Sequence, residues 1–297
     1  MSELKHILGP MRVPFLILNP ACVLLGIATA VWTSGKVSLL YSILALIGAI
    51  AAHISVNALN EYFDFRSGLD SRTRRTPFSG GSGTLQSIPQ SAHSALATGL
   101  VALAITSLIG IYFLSLRGLA LLPLGLLGLL IIVTYTPWLS KNPALCLIAP
   151  GLGFGTLMVM GTNFVLTGEY TWTAFVASLV PFFLVSNLLL LNQFPDVEAD
   201  QTVGRRHLPI VAGRRTSSLV YAGFMLLTYL SILLGAWSGY LPKTSLLGLC
   251  TIPLAISATM GAFRYKEDIG KLIPSMGVNV LINITTPALV AIGLFLG

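Results

Sequence analysis

The chain has 297 residues, of which 55% are apolar and only 9% are charged, whereas soluble domains carry about 25% charged residues. Its mean hydropathy is +0.85. So few charged side chains cannot cover the surface of a soluble fold, which excludes a cytosolic enzyme, a disordered tail and a nucleic-acid-binding domain. Because most of the chain should lie in lipid, we do not interpret the net charge of +7 as a sign of nucleic-acid binding.

Apolar runs recur along the whole chain. A membrane-spanning helix needs roughly 20 mostly apolar residues, and about nine runs meet this requirement. The first run is interpreted as a span and not as a cleavable signal peptide. We predict an all-α, polytopic membrane bundle of about nine transmembrane helices, forming a single domain over 1–297. The predicted spans are 14–33, 38–59, 92–114, 118–136, 145–167, 173–193, 217–237, 244–263 and 277–296.

Basic residues mark one side of this bundle. With nine spans, fourteen of the seventeen Lys and Arg residues fall on the side of the N-terminus, and the three exceptions are Lys36, Arg117 and Lys243. Because loops rich in Lys and Arg stay in the cytoplasm, we predict a multi-pass protein of the inner (cytoplasmic) membrane with its N-terminus in the cytoplasm.

Six of the ten acidic residues lie in two short segments on that basic side. The segments are NEYFDFRSGLDSRTRR (60–75) and NQFPDVEADQTVGRR (192–206), and each follows a predicted span. In both, an Asn and an Asp are four residues apart, which places them on one face if the helix continues. Pro195 is expected to loosen the second helix end.

The two segments also indicate an internal repeat. Asn60 and Asn192 are 132 positions apart, and each ends an even-numbered span. We predict two four-helix repeats, roughly 14–136 and 145–263, followed by a ninth helix at 277–296.

The composition of these segments predicts a metal–diphosphate site at the membrane surface. Carboxylates at this density repel one another unless a cation lies between them. Mg²⁺ prefers oxygen ligands and commonly bridges carboxylates to a substrate phosphate, while arginine suits bidentate phosphate binding. The arginines that flank the acids are Arg66, Arg72, Arg74, Arg75, Arg205 and Arg206.

With these motifs the chain resembles the UbiA superfamily of intramembrane prenyltransferases over essentially its full length. Within that superfamily it is most similar to the menaquinone-biosynthesis (MenA-like, 1,4-dihydroxy-2-naphthoate prenyltransferase) branch, because five residues separate the last two acids of the first motif. Segments 151–171 and 203–215 resemble that branch as well, whereas Glu61 and segment 76–87 depart from it. The matching motif residues are Asn60, Asp64 and Asp70 in the first segment and Asn192, Asp196 and Asp200 in the second.

The resemblance implies Mg²⁺-dependent transfer of a polyprenyl group from an isoprenyl diphosphate to an aromatic acceptor, either 1,4-dihydroxy-2-naphthoate or a related quinone precursor. Two Mg²⁺ ions would bridge the donor diphosphate on the six motif residues. The implied catalytic residues are Asp64, Asp196, Arg72, Lys141 and Tyr135. The implied diphosphate-binding residues are Arg66, Arg72, Lys141, Arg205 and Arg206.

Other residues receive weaker interpretations. Asn57 and His53 lie one and two turns before Asn60 on roughly its face, so both are candidates for contact with the acceptor. GGSG (80–83) lacks the ending of a phosphate-binding P-loop, and we predict a flexible lid there. GLGFGTLMVMG (151–161) predicts either close helix packing or a local irregularity, and His207 is interpreted as a loop residue.

Three alternatives stay open. A membrane terpene cyclase would ionise the same diphosphate and cyclise it. A prenyltransferase of this superfamily could instead use homogentisate, hydroxybenzoate or a glycerophosphate as acceptor. A cation or proton transporter is the non-enzymatic alternative, although its acids are expected near mid-span and not beside arginines at the helix ends.

Overall fold

The computed structural model of the protein describes residues 2–69 and 72–297, with side chains described from His6 onward within those ranges. Every regular element in these ranges is helical. The helices are α1 (Ser2–Met11), α2 (Leu18–Ser34), α3 (Leu39–Ser67), α4 (Thr84–Ser87), α5 (Ala92–Arg117), α6 (Leu122–Thr134), α7 (Pro143–Gly151), α8 (Met158–Thr167), α9 (Trp172–Asn192), α10 (Val197–Thr202), α11 (Leu208–Trp237), α12 (Ile252–Arg264) and α13 (Ile269–Leu296).

The predicted membrane bundle is confirmed. Eight helical segments of the described chain are long and apolar enough to cross a bilayer, and a ninth segment, Leu119–Thr134, is apolar but shorter. Together they coincide with the nine predicted spans. The division into two four-helix repeats stays a prediction.

The two acid segments differ in how their helices end. Helix α3 continues to Ser67, two turns beyond the predicted end of its span, and therefore keeps Asn60 and Asp64 on one helical face. Gly68 ends this helix with φ 73°, a left-handed conformation that glycine adopts without steric cost. Helix α9 instead ends at Asn192, and a turn containing Pro195 precedes α10. The condition of a continuing helix is thus met in the first segment. In the second segment it is not met, and the loosening expected at Pro195 is observed, because proline cannot supply the amide N–H that a continuing helix needs.

The glycine-rich fifth span combines close packing with a local irregularity. A π-helical turn, Leu152–Leu157, lies between α7 and α8, and the turn packs against α9 at Phe182. A Cβ atom added at Gly155 would lie 2.4 Å from the backbone nitrogen of Phe182. Only a residue without a side chain allows this approach of the two backbones, and the approach sets the position of α9 beside the turn.

We expect Gly155→Ala to lower the midpoint of thermal unfolding in detergent. The added methyl group would meet backbone atoms of α9, and overpacking of this kind costs about 1–3 kcal/mol. The matched control is Gly153→Ala in the same turn, since a Cβ atom there meets nothing within 4 Å. A midpoint in Gly155→Ala as high as that in Gly153→Ala would contradict the close approach.

Buried side chains concentrate on α2, α9, α11 and α13, which form the centre of the bundle. Polar bonds join these helices inside the membrane: Asn187 donates to the Tyr221 carbonyl at 2.8 Å, and the Tyr221 hydroxyl donates to Asn279 at 3.0 Å. Most side chains of α5 and α6 are exposed or half-buried, as expected for helices that face lipid. These two helices, α3, α9 and the π-helical turn surround a large cavity.

Candidate active site

The cavity has a volume of about 680 Å³, with a polar end and long apolar walls. Along α3 its lining extends from Ala45 to Asp64, a helical rise of about 28 Å and therefore close to the thickness of the hydrocarbon layer. Many of the residues predicted from the sequence line it. They are His53, Asn57, Asn60, Asp64, Tyr135, Asn192, Asp196, Asp200 and Arg205.

Arg205 joins the two acid segments. Its Nη2 atom donates to Oδ1 of Asp64 on α3, and its Nη1 atom donates to Oδ1 of Asp200 on α10 at 3.0 Å. Burial disfavours the charged guanidinium, but the carboxylates of Asp64 and Asp200 outweigh it and raise the pKa of Arg205. The arginine thus remains protonated at the point where two distant parts of the chain meet.

Two side-chain oxygens of the second acid segment receive no hydrogen bond from the described residues. Oδ1 of Asn192 and Oδ1 of Asp196 are buried, and neither has a hydrogen-bond partner among the described residues. Burial, together with the like charge of Asp200, raises the pKa of Asp196 to about 7, although Ser79, Arg205 and Arg12 act in the opposite direction. A carboxyl in this setting gains most from a cation placed beside it.

These donors fit Mg²⁺ by their chemistry. All are carboxylate or amide oxygens, the ligands that this ion prefers, and two of the oxygens are buried without a partner. In the ranges that the structure describes, no three carboxylate, imidazole or thiol groups converge on one point. Mg²⁺ commonly takes one or two carboxylates from a protein and its remaining ligands from water and substrate phosphate. Asp70, the remaining predicted ligand, lies outside the described residues.

Glu61 organises the rim of the cavity, a role that the sequence did not indicate. Its carboxylate is 1% exposed and accepts hydrogen bonds from Nε of Arg12 at 2.7 Å and from the amide and hydroxyl of Ser82 at 2.7 and 2.9 Å. Arg12 also donates to Oδ1 of Asn60 at 3.0 Å. Its φ of 50° is uncommon for a residue other than glycine. Glu61 therefore ties the N-terminal segment and the predicted lid to α3.

Segment 76–83, which includes the lid predicted at 80–83 and is called the lid from here on, contributes Phe78, Ser79, Gly80 and Gly81 to the lining of the cavity. It is anchored at Ser82 to Glu61, and Arg75 donates to the Ser82 carbonyl at 3.2 Å. The departure of Glu61 from the motif thus has a physical reason, because the longer side chain reaches both Arg12 and the lid.

We expect Glu61→Ala to release the lid and to lower activity about tenfold or more, since three buried hydrogen bonds to a charged group are lost at once. Tryptic cleavage after Arg74 and Arg75 should accelerate in the same variant. Ser82→Ala, which removes only the hydroxyl bond, should fall between wild type and Glu61→Ala. Equal cleavage rates in all three proteins would show that Glu61 does not hold the lid.

Four predicted cations do not line the cavity. Arg66, Arg72, Lys141 and Arg206 are exposed, and Arg66 donates to the Tyr62 hydroxyl at 3.1 Å. Their roles in diphosphate binding stay predictions.

His207 lies in the loop before α11, as the sequence suggested, but its side chain is buried. Its Nε2 atom lies 3.0 Å from Oδ2 of Asp200, the oxygen opposite to the one that Arg205 contacts. His207 thereby fixes the orientation of the Asp200 carboxylate. Its place directly after an arginine pair gave no signal for this role.

Comparison with known proteins agrees with this architecture. The model of the UbiA prenyltransferase family matches residues 20–272. A 1,4-dihydroxy-2-naphthoate octaprenyltransferase of Bacillus subtilis is 26% identical over 280 residues, which cover 92% of this chain and 87% of that protein. An octaprenyltransferase of the same description from Haemophilus influenzae is also 26% identical, over 93% of this chain and 91% of its own length.

Solved structures share the fold. A UbiA homologue from Aeropyrum pernix superposes with a TM-score of 0.71 at 17% identity, covering 95% of this chain and 97% of that one. A UbiA homologue from Archaeoglobus fulgidus, whose structure was solved with DMAPP and Mg²⁺, superposes with a TM-score of 0.61 at 17% identity over 97% of this chain and 99% of its own. At these identities the likeness establishes the helical arrangement.

Proposed function

The chain belongs to the UbiA prenyltransferase family, and from this premise we propose that it transfers a polyprenyl group from an isoprenyl diphosphate to 1,4-dihydroxy-2-naphthoate or a related aromatic acceptor, with Mg²⁺ as cofactor. As a family member it is a membrane prenyltransferase. The acceptor is supported by the two 1,4-dihydroxy-2-naphthoate octaprenyltransferases of similar length. The metal is supported by the homologue solved with a prenyl diphosphate and Mg²⁺.

One observation carries the proposal. The acid segments at the ends of α3 and α9 meet at one end of a single cavity, and Arg205 bonds to both of them. One end of the cavity is rich in carboxylate and amide oxygens, which bind cations, and this end opens into an apolar space. Such a cavity matches a ligand with a diphosphate head and a hydrocarbon tail.

The residues at the polar end have two roles, metal binding and phosphate binding. Asn60, Asp64, Asp70, Asn192, Asp196 and Asp200 would hold two Mg²⁺ ions, which when bound would offset the charge that develops on the departing diphosphate. Arg205 donates N–H groups at the same place and suits bidentate contact with phosphate oxygens.

The rest of the cavity directs the organic part of the reaction. The bond between C1 of the donor and its diphosphate oxygen breaks, its electron pair leaves with the diphosphate, and an allylic cation forms at C1. A ring carbon of the acceptor bonds to C1 through a ring electron pair. That carbon then loses its own substituent, the carboxylate as CO₂ in 1,4-dihydroxy-2-naphthoate or a proton in another arene, and the ring regains its aromaticity. The lid residues Phe78 to Gly81 close over the polar end and exclude water that would otherwise capture the allylic cation. The apolar side chains of α5 and α6 surround the prenyl tail.

We further propose that the site lies at the cytoplasmic face, with the N-terminus on the same side. The proposal is supported by the bias of fourteen cations against three. A cysteine introduced at Glu169, on the opposite side, should react with an impermeant maleimide added outside intact cells. Reaction of a cysteine at Arg72 under those conditions, without reaction at position 169, would reverse the orientation.

The test of function uses purified protein in lipid nanodiscs with geranyl diphosphate and a panel of aromatic acceptors, with products identified by mass spectrometry. We expect a prenylated 1,4-dihydroxy-2-naphthoate product that disappears when EDTA removes divalent metal and returns when excess Mg²⁺ is added. Diphosphate release without a prenylated acceptor would instead indicate cyclase or hydrolase chemistry. Prenylation of a different acceptor alone would overturn the assignment of the naphthoate.

A further inference from the structure

His53 contributes a buried imidazole to the wall of the cavity. It lies on α3 two turns before Asn60, is 6% exposed, and packs edge-on against Phe154 of the π-helical turn with ring centroids 4.6 Å apart. Its Nδ1 atom lies 3.1 Å from Nδ2 of Asn19 on α2. Within the described part of the chain no group bonds to Nε2 of His53. Because the ring lines the cavity, this atom is free to bond to a ligand there.

Asn19 determines which ring nitrogen carries the proton. Its amide nitrogen also donates to the Leu16 carbonyl at 2.9 Å, and this bond fixes the orientation of the amide, because the reverse orientation would place two acceptors face to face. An amide nitrogen only donates, so Nδ1 of His53 must accept. A neutral imidazole that accepts at Nδ1 carries its proton on Nε2.

This arrangement is costly for the fold. Asn19 is fully buried, and its Oδ1 atom has no hydrogen-bond partner among the described residues. A buried polar atom without a partner destabilises a protein, so the Oδ1 atom gives no reason for an amide at this position. The two bonds that Nδ2 makes, to His53 and to the Leu16 carbonyl, explain the amide instead.

We propose that Asn19 is a positioning residue for the acceptor, because it holds His53 in the tautomer that points an N–H group into the cavity. The proposal rests on the proposed function. Seven residues of helix place His53 about 10 Å from Asn60 along α3, deeper in the membrane than the diphosphate end. An acceptor ring fits between these two levels.

Asn57 extends the same pattern one turn closer to the polar end. Its Nδ2 atom donates to the Met11 carbonyl at 3.1 Å, and its Oδ1 atom receives no bond from the described residues. His53 thus offers a donor and Asn57 an acceptor, four residues apart on one helical face. Together they match an arene that carries one oxygen able to accept from His53 and one hydroxyl able to donate to Asn57.

The experiment combines nitrogen NMR with steady-state kinetics. Full-length protein with ¹⁵N-labelled histidine rings is measured in nanodiscs, and the His53 signals are assigned by their loss in His53→Gln. The chain has four histidines, which keeps the spectrum simple. Asn19→Asp is the informative variant, since a carboxylate can only accept from Nδ1 and therefore favours a proton there, which in the neutral ring leaves Nε2 bare. Asn142→Asp, an exposed helix N-cap outside the cavity, is the matched control.

We expect bare Nδ1 and protonated Nε2 in the wild type and in Asn142→Asp, and protonated Nδ1 with bare Nε2 in Asn19→Asp. With 1,4-dihydroxy-2-naphthoate as acceptor and geranyl diphosphate as donor, Asn19→Asp should raise KM for the naphthoate about tenfold, the effect of one lost hydrogen bond. The KM for the donor should change less than about twofold.

A protonated Nδ1 in the wild type would overturn the inference, as would an unchanged acceptor KM in an Asn19→Asp protein whose tautomer has switched. A wild type that transfers no prenyl group to this naphthoate contradicts the proposed acceptor instead. In that case the tautomer of His53 in the wild type and in Asn19→Asp still decides the role of Asn19.

Discussion

We expect Asp196→Asn to lower kcat for prenyl transfer about 10³-fold in a protein that still folds. The expected loss follows from the role of the carboxylate in offsetting the charge of the leaving group, where removal of one stabilising group typically costs 10²–10³-fold. Oδ1 of Asp196 is buried without a partner among the described residues. The neutral amide has the same shape and lacks the buried charge, so we expect an unchanged or higher midpoint of thermal unfolding.

The matched control is Glu169→Gln. It makes the same change from acid to amide at an exposed position that does not line the cavity, and its activity should equal that of the wild type. Activity is measured as diphosphate release and as prenylated product. A near wild-type kcat in Asp196→Asn would show that this carboxylate has no role in catalysis.

We expect Arg205→Lys to lower kcat/KM for the donor about 100-fold. Arginine holds Asp64 and Asp200 with two separate N–H groups of its planar guanidinium. A lysine ammonium is a point charge on a flexible four-carbon stem and cannot keep both bonds and a phosphate contact. Lysine retains the positive charge, so the loss of activity would be due to the lost hydrogen-bond geometry of the guanidinium. Most of it should appear as a higher KM for the prenyl diphosphate.

Two further Arg→Lys variants test whether Arg206, which the sequence also predicts to bind the diphosphate, matters as much as Arg205. Arg206 is adjacent but exposed, and its substitution should cost only a few-fold. Arg215→Lys, at an exposed position on α11, serves as the control for a surface arginine. Equal losses at Arg205 and Arg206 would mean that both contact the diphosphate, as the motif alone implies.

The membrane bundle could be predicted from the sequence because its signal is simple. Length and hydropathy define a span, and most bounds of the nine runs agree with the observed helices to within a few residues. The largest differences lie at the C-terminal end of α3 and at the N-terminal ends of α11 and α13. Helix α3 extends beyond the apolar run because Asn60 and Asp64 are helical without being hydrophobic, and hydropathy detects only apolar helix. The π-helical turn arises from backbone packing against α9, which no local pattern encodes.

The candidate site was predictable in its acids and less so in its supporting residues. Asp64, Asp196 and Asp200 stand out because acids are rare in this chain. Arg205 and Arg206 are indistinguishable as neighbours in sequence, and only the turn after α10 directs one inward and the other to the surface. Glu61 and His207 act through bonds to Ser82 and Asp200. Asn19 acts through His53 on the next helix, a relation that only the packed structure brings out.

The central claim is that the two acid segments form one Mg²⁺-dependent diphosphate site. Its most direct test is equilibrium binding of the unreactive thio analogue of geranyl diphosphate, with and without Mg²⁺, to wild type and to Asp196→Asn. We predict tight binding only to the wild type and only when Mg²⁺ is present. Binding of equal strength in EDTA, or to Asp196→Asn as to the wild type, would contradict the claim.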